Sequence, residues 1–327
     1  MASAEGILIM TLTRRLFLAA TGVAAVGGAR AAGYPSETIK IVVPRAPGGG
    51  TDNLVRLMQP ALEKKLGVSI LIENKPDASA VIGASLVSKA KPDGYTFLLA
   101  DNALYQNPAI LDSLPYDTLK DFSAVTMVAQ GPVILIVHPD VPAKNLQELI
   151  ALAKTKELSF ASGGIGASTH LVGVMVNLKA GIKILHVPFK GSGPALNALL
   201  GGHVTMQYGG INSAAPYVKA GKVLAIAVTG THRDPSMPDV PTFTEAGLAG
   251  ADVTSVWGLH APPGTPIEIR RTIRDAIAEV LRDPALAKKL AEFGYEPIAN
   301  TPEDHQVQTA TLVRQWIEVG KTVNLKE

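Results

Sequence analysis

The chain has 327 residues, of which 47% are hydrophobic, and its formal net charge at pH 7 is +2. This length suits about two domains with a sizeable core, whereas a charge so close to zero supplies no field for binding nucleic acid or an anionic membrane. The sequence contains no cysteine, which excludes disulfides, thiolate metal sites and cysteine nucleophiles.

Residues 1–32 have the pattern of an export signal. The letters T-R-R-L-F-L at 13–18 match a twin-arginine motif, an apolar stretch covers 16–29, and A-R-A at 29–31 suits a cleavage site. The apolar stretch of about 14 residues is too short to span a bilayer, which takes about 20. We therefore predict a cleaved twin-arginine signal peptide and a periplasmic mature protein that does not insert into the membrane.

From Ile39 onward, short β-branched runs alternate with segments of helical periodicity. This alternation is typical of α/β proteins with mostly parallel sheets flanked by helices. The predicted strands are 39–43, 68–72, 96–100, 133–137, 158–161, 183–187, 204–208, 224–229 and 254–260. The predicted helices are 52–66, 81–90, 145–154, 168–180, 193–200, 212–220, 266–282, 284–293 and 302–320.

The C-terminal part of the chain is predicted to be helical with no strands of its own, so its helices must pack on a sheet built elsewhere. The simplest arrangement returns them to the N-terminal sheet. We therefore predict a discontinuous first lobe of residues 33–132 plus 257–327 and an inserted second lobe of residues 133–256. Two strands that cross between the lobes would form the hinge.

The most informative stretch reads I-K-I-V-V-P-R-A-P-G-G-G-T-D at 39–52 and joins a strand to a helix through three glycines. Such a loop presents free backbone N–H groups at a helix N-terminus, where they bind anions without a catalytic side chain. We predict a carboxylate site in this first loop, Pro47–Asp52. The alternative is a tight turn in which Asp52 caps the helix. The candidate residues are Arg45, Pro47, Gly48, Gly49, Gly50, Thr51 and Asp52.

Two further connections between strands and helices are rich in glycine. The second loop, residues 162–170, reads S-G-G-I-G-A-S-T-H, and the third loop, residues 186–194, reads H-V-P-F-K-G-S-G-P. Loops at the carboxyl ends of second-lobe strands would face the first loop across a cleft. The alternatives are that His170 orients its own loop and that the third loop is a hinge or turn. The candidate residues are Ser162, Gly163, Gly166, Ser168, Thr169, His170, Lys190 and Gly191.

Catalytic and metal-binding motifs are missing from the sequence. It has no G-x-S-x-G, no H-E-x-x-H and no EF-hand loop, and its seven histidines lack metal-ligand spacing. We predict no catalytic residue, no metal and no cofactor. A secreted α/β hydrolase would need a nucleophile beside a base, and the nearest pair, Ser168 and His170, occupies positions of a helix start that point apart.

Further motifs follow in chain order, and together they resemble the Bug receptors, the extracytoplasmic solute-binding proteins of tripartite tricarboxylate transporters. The resemblance covers the chain from about Tyr34 to its C-terminus. It implies a two-lobed, Venus-flytrap fold of the periplasmic-binding type II class, capture of a small organic acid, and delivery to a membrane permease. A monomer is expected, and a co-receptor for a membrane signalling partner is the alternative. The motifs are L-I-E-N-K-P-D-A-S-A-V-I-G-A at 71–84, P-D-G-Y-T-F-L-L-A at 92–100, N-P at 107–108, H-V-P-F-K-G-S-G-P-A-L-N-A-L-L-G-G-H-V at 186–204, A-V-T-G-T-H-R-D-P-S-M-P-D-V-P-T-F-T-E-A-G at 227–247, W-G at 257–258 and A-P-P-G-T-P at 261–266.

The chain departs from the family pattern at three charged positions. Arg45 stands where the family commonly has an aromatic residue, Asp77 enters a loop that is usually richer in glycine, and Asp101 replaces a usual threonine. If these residues line the cleft, added carboxylates oppose a polyanion, which favours a monocarboxylate, an amino acid or a hydroxylated ligand over citrate-like triacids. The alternative is that the three pair with one another or point to solvent. The further candidate residues on these loops are Ser79, Ala80 and Asn102.

Overall fold

The computed structural model describes residues 33–322, so the predicted signal peptide lies outside the described residues. The strands are β1 (Ile39–Val43), β2 (Ile70–Asn74), β3 (Thr96–Ala100), β4 (Ser123–Gly131), β5 (Val133–Val137), β6 (Ser159–Ser162), β7 (Leu185–Pro188), β8 (Met206–Gly210), β9 (Leu224–Val228), β10 (Ser255–Ala261) and β11 (Glu296–Pro297). The helices are α1 (Gly50–Leu66), α2 (Val81–Ser88), α3 (Asn102–Ile110), α4 (Leu146–Ala153), α5 (Ser168–Ala180), α6 (Ser192–Leu200), α7 (Ile211–Lys219), α8 (Ile267–Leu281), α9 (Pro284–Glu292) and α10 (Pro302–Thr322).

The first sheet contains six of the described strands, in the order β11-β4-β10-β3-β1-β2. β1 pairs in parallel with both β2 and β3, and β10 lies antiparallel between β3 and β4. Four of the six strands therefore run in one direction. The apolar side chains of β1 are buried, as expected for a strand covered on both faces.

The second sheet has the order β7-β6-β8-β5-β9, and here β5 is the strand that runs against the others. All five residues of β5 are buried, which is why this strand reads as an unbroken apolar run. The mixed α/β architecture with two sheets is the predicted one.

The chain passes between the sheets twice. Pro132 alone separates β4 of the first sheet from β5 of the second, and β10 returns the chain to the first sheet after β9. The two reversed central strands, β5 and β10, are thus the first strands that the chain forms after each passage. From Pro35 onward the chain packs as one compact unit, so the division into two lobes stays a prediction.

Three elements were missed by the sequence patterns, and one of them, the two-residue strand β11, lies in the C-terminal part that was predicted to have no strands of its own. Helix α3 contains Pro108 and is buried on almost every side, including at polar Gln106 and Asn107, so it shows no amphipathic stripe. Strand β4 contains alanine and ends in glycine, residues that are depleted in strands. The C-terminal helices pack on the first sheet, where α8 and α10 both contact β4.

A cluster of buried aromatic and histidine side chains lies where α3, β10 and α10 meet. The hydroxyl of Tyr105 lies 3.0 Å from Nε2 of His260 and 3.5 Å from Nε2 of His305. The centroids of the two imidazole rings are 4.5 Å apart. Burial lowers the pKa of His260 to about 3 and holds the pKa of His305 well below its usual value. Both rings are therefore neutral in the folded protein at neutral and mildly acidic pH.

This cluster predicts an acid-dependent loss of stability. The folded-state pKa values lie below those of the unfolded chain, so the unfolded chain takes up protons first as the pH falls. The stabilisation is complete above about pH 6.5 and declines towards the folded pKa, by up to about 1.4 kcal/mol per pH unit for each histidine. In His305→Gln, the free energy of unfolding from urea titrations should fall less steeply between pH 6 and pH 4.5. The exposed His203→Gln is the control, and an unchanged slope in His305→Gln would contradict the prediction.

Candidate functional site

A cavity of about 40 Å³ lies between loops of the two sheets. Five of the described helices begin at its wall: α1, α3, α5, α6 and α7. Each follows a strand or a glycine turn, so the cavity lies at the carboxyl ends of strands, where α/β proteins commonly bind ligands.

Four of these helix N-termini have no side chain that caps them. The residues before α1, α5, α6 and α7 are Gly49, Ala167, Gly191 and Gly210, and none makes a side-chain hydrogen bond to the helix. Away from the cavity, α4 and α9 are capped by Asn145 and Asp283, although α8 follows Pro266 without a side-chain cap. Uncapped N-termini carry unsatisfied N–H groups and the positive ends of helix dipoles. The wall is therefore suited to an anion without any free cationic side chain.

The carboxylate of Asp52 points away from the cavity and organises the first loop. It accepts hydrogen bonds from the Gly48 N–H at 3.0 Å, from Nδ2 of Asn74 at 2.9 Å and from Nε of Arg56 at 2.9 Å. Burial alone would raise the pKa of Asp52, but these hydrogen bonds together hold it below its usual value. Asp52 therefore holds the turn that precedes α1, as the tight-turn alternative expects, but it does not cap the N–H groups of the helix, and its neighbours in the loop face the cavity.

Two aromatic side chains from the C-terminal half fix the other side of the first loop. Nε1 of Trp257 donates to Oγ1 of Thr51 at 3.1 Å, and the hydroxyl of Tyr295 donates to the carbonyl of Gly50 at 2.7 Å. The two rings stand edge to face, with centroids 5.0 Å apart. A Cβ on Gly50 would lie 3.0 Å from the Trp257 ring, so the close approach requires glycine there.

The second loop is held by its own polar side chains. Oγ1 of Thr169 accepts a hydrogen bond from the Gly163 N–H at 2.9 Å, and Nδ1 of His170 accepts from the Gly166 N–H at 3.3 Å. The hydroxyl of Ser168 pairs with that of Ser255 at 2.7 Å. Ser168 and His170 therefore do not form a nucleophile and base pair, and His170 orients its loop.

The third loop meets the first through backbone atoms. The carbonyl of Lys190 accepts a hydrogen bond from the Ala46 N–H at 2.7 Å, while the Lys190 residue as a whole is exposed. Gly191 has a φ of +146°, and a Cβ there would lie 3.3 Å from the Ala46 nitrogen, so both its conformation and its surroundings favour glycine.

Arg45 and Asp101, two of the three charged departures, bind each other. Nε of Arg45 donates to Oδ2 of Asp101 at 2.6 Å and Nη2 donates to Oδ1 at 3.3 Å. Nη1 of Arg45 also donates to the carbonyl of Ala78 at 3.0 Å and to that of Gly163 at 2.9 Å. Oδ1 of Asp101 also caps α3 through the Ala103 N–H. The guanidinium thus joins three loops, and its side chain is only 3% exposed.

The third charged departure, Asp77, has a different role. Its carboxylate accepts hydrogen bonds from the N–H groups of Ser79, Val81 and Ile82 at 3.1 to 3.2 Å. It therefore caps α2 and does not line the cavity. Ala80, directly before α2, is buried in a left-handed conformation with a φ of +60°.

Half of the predicted residues lie at the cavity wall. Those that line it are Arg45, Gly49, Gly50, Thr51, Asp101, Asn102, Gly163, Ser168, Thr169 and Gly191. Those that do not are Pro47, Gly48, Asp52, Asp77, Ser79, Ala80, Ser162, Gly166, His170 and Lys190. Five wall residues were not predicted: Ala167, Ser192, Gly210, Ser255 and Trp257.

Sequence patterns could have identified some of these five wall residues but not others. Gly210 ends β8 and precedes α7, so the same strand-to-helix rule that singled out the other loops applies to it. Ser255 and Trp257 lie within β10, and no local pattern signals that this strand crosses the cavity.

Within residues 33–322, no cluster of three or more histidine or acidic side chains is arranged to hold a metal ion. The same part of the chain has no helix that combines the length and apolar character needed to cross a membrane.

Comparison with known sequences identifies the family. The family model described as "Tripartite tricarboxylate transporter family receptor" (TctC) matches residues 54–325. The chain is 36% identical to a UPF0065 protein of Bordetella bronchiseptica, covering 98% of this chain and 96% of that one. It is 31% identical to the protein BugT of Bordetella pertussis, over 97% and 99% of the two chains.

Solved structures agree with this assignment. The periplasmic binding protein BugD is 33% identical, with a TM-score of 0.84 over 90% of this chain and all of that one. MatC from Rhodopseudomonas palustris, solved with bound malate, is 32% identical, with a TM-score of 0.83 over 88% and 100% of the two chains. An R. palustris protein solved with adipate is also 32% identical, with a TM-score of 0.84 over 88% and 98%. The chain therefore belongs to the TctC family of tripartite tricarboxylate transporter receptors, and it is a solute-binding receptor with their periplasmic-binding-protein fold.

Proposed function

We propose that the receptor captures a small carboxylate-containing solute in the cavity and delivers it to a membrane permease of the tripartite tricarboxylate type. The observation that carries this proposal is the set of four uncapped helix N-termini at the wall, because their N–H groups need an acceptor. A carboxylate supplies two acceptor oxygens and a negative charge. Two relatives were solved with malate and with adipate, which are also small carboxylates.

Capture by closure is part of the proposal. The two sheets would be the cores of two lobes, residues 33–132 plus 257–327 and residues 133–256, which turn about the β4–β5 and β9–β10 connections. Contacts that cross the cleft support this, notably the Ala46 N–H to the Lys190 carbonyl and the Arg45 guanidinium to the Gly163 carbonyl. Such contacts would form only when the lobes are closed.

The proposal assigns no catalytic step to the cavity. The one hydroxyl that the sequence placed beside a histidine, that of Ser168, is engaged with Ser255. The receptor would act as a monomer in the periplasm, without nucleic acid or a cofactor, after removal of residues 1–32.

The anion site predicts a conflict between binding and stability at Ala167. Ala167 has an extended conformation with φ −72° and ψ 153°, which suits a capping aspartate. In Ala167→Asp, the new carboxylate should occupy the N–H groups of α5, weaken binding of any carboxylate ligand by more than about 100-fold, and stabilise the fold by up to about 1 kcal/mol. Calorimetric titration and thermal denaturation measure the two effects. Ala167→Asn is the matched uncharged control, and unchanged affinity in Ala167→Asp would refute the anion site.

The hydroxyl of Tyr295 predicts a smaller effect on binding. Tyr295→Phe removes its hydrogen bond to the Gly50 carbonyl, and loss of one such bond at about 1 kcal/mol corresponds to roughly fivefold weaker binding. The control is Tyr95→Phe, which removes a hydroxyl bonded to Ser36 at the opposite end of β3 from the cavity. Equal affinities of the two variants in calorimetric titration would show that the first loop does not depend on Tyr295.

The export route is tested at the twin arginines. Arg14→Lys with Arg15→Lys should leave the precursor in the cytoplasm of a host that has twin-arginine export, because the pathway reads the arginine pair. Cell fractionation and the mass of the processed chain provide the measurement. Arg30→Lys is the control, which keeps the motif. Normal export of the double-lysine variant would assign the signal to the general route.

A further inference from the structure

We infer that the Arg45–Asp101 pair restricts this cavity to small monocarboxylates and rejects dicarboxylates, an inference that rests on the receptor function proposed above. Among the described residues of the wall, these two carry the only formal charges. Their charges cancel, so the wall can attract an anion only through its helix N-termini. These N-termini can bind one carboxylate, whereas the charge of a second would find no free cation among the described residues of the wall.

Arg45 cannot serve as that cation. A guanidinium has five N–H donors, and four of them are engaged in the described contacts, two with Asp101 and one each with the carbonyls of Ala78 and Gly163. One N–H is left, so a second ligand carboxylate cannot form the bidentate pair that Arg normally offers. Arg45 is also held from three sides, which keeps it from turning towards a ligand.

Asp101 adds repulsion to this shortage of donors. Its carboxylate is at the wall, so the far carboxylate of a dianion would approach a like charge. Both of its oxygens already accept hydrogen bonds from Arg45, so the ammonium group of an amino acid would have to compete with Arg45 for them. A ligand whose atoms beyond the carboxylate are uncharged, with or without a hydroxyl group, avoids both the shortage of donors and the like charge of Asp101.

The size of the cavity points to the same class of ligand. The cavity measures about 40 Å³, so a small ligand fits it better than a long one. Propionate and lactate, with two and three heavy atoms beyond the carboxylate, are small ligands with a single charge. Malate and adipate, which relatives hold, are larger and carry a second charge.

The first experiment uses the unmodified mature protein. After bound solutes are stripped by unfolding and refolding, calorimetric titration compares lactate and propionate with malate, succinate, adipate and alanine. We expect lactate or propionate to bind at least tenfold more tightly than every dicarboxylate and than alanine. If no carboxylate binds, the proposed function fails. If malate, succinate, adipate or alanine binds as tightly as lactate, the inference fails while the receptor function stands.

The second experiment aims to shift the ligand preference from monocarboxylates towards dicarboxylates. Asp101→Asn keeps an oxygen that can cap α3, but it removes the acceptor of the Nε–H group of Arg45 and removes the like charge. We expect its affinity for succinate to rise at least tenfold and its melting temperature to rise more with succinate than with propionate. The double variant Arg45→Gln/Asp101→Asn removes both charges and should show no such gain. If Asp101→Asn gains nothing for succinate, or the double variant gains equally, the pair does not select the ligand; the titrations of the unmodified protein decide the case if Asp101→Asn does not fold.

Discussion

The architecture of the site depends on backbone N–H groups at helix starts that the protein leaves without internal acceptors. A side-chain cap stabilises a helix by about 1 kcal/mol, and the chain uses such caps at α4 and α9, through Asn145 and Asp283. At α1, α5, α6 and α7 it has glycine or alanine instead. A ligand that supplies the missing acceptor can provide the stabilisation that a side-chain cap would otherwise give at these four positions.

Backbone donors bind selectively only when their positions are fixed, and the surrounding side chains provide that rigidity. Asp52 holds the first loop from within through the Gly48 N–H, while Trp257 and Tyr295 hold it from the C-terminal half. The acidic residue in this loop therefore contributes geometry, and its buried charge is balanced by Arg56. The same division holds at α2, where the Asp77 carboxylate caps the helix and takes no part in the cavity wall.

Local patterns predicted nine of the eleven described strands, the glycine loops and the family, because each depends on residues that are close in sequence. The rule that a strand followed by glycines leads to a helix N-terminus located Gly49, Gly163 and Gly191 at the wall. The direction of an acidic side chain was not predictable, since Asp52 and Asp77 both satisfy nearby N–H groups instead of facing outward. Nor could Trp257 be placed, because its contact with Thr51 joins positions that are far apart in the chain.

The charges of Arg45 and Asp101 have to be considered together, because each balances the other. Either charge alone, buried without its partner, would cost about 3–5 kcal/mol of stability, and the Arg45 side chain is almost completely buried. As a pair, they leave the net charge of the described wall at zero. The pair also reaches across the cleft, because Nη1 of Arg45 donates to the Gly163 carbonyl. Two residues that suggest a charged site in the sequence therefore form, in the folded protein, a neutral pair in which four of the five N–H groups of Arg45 are engaged.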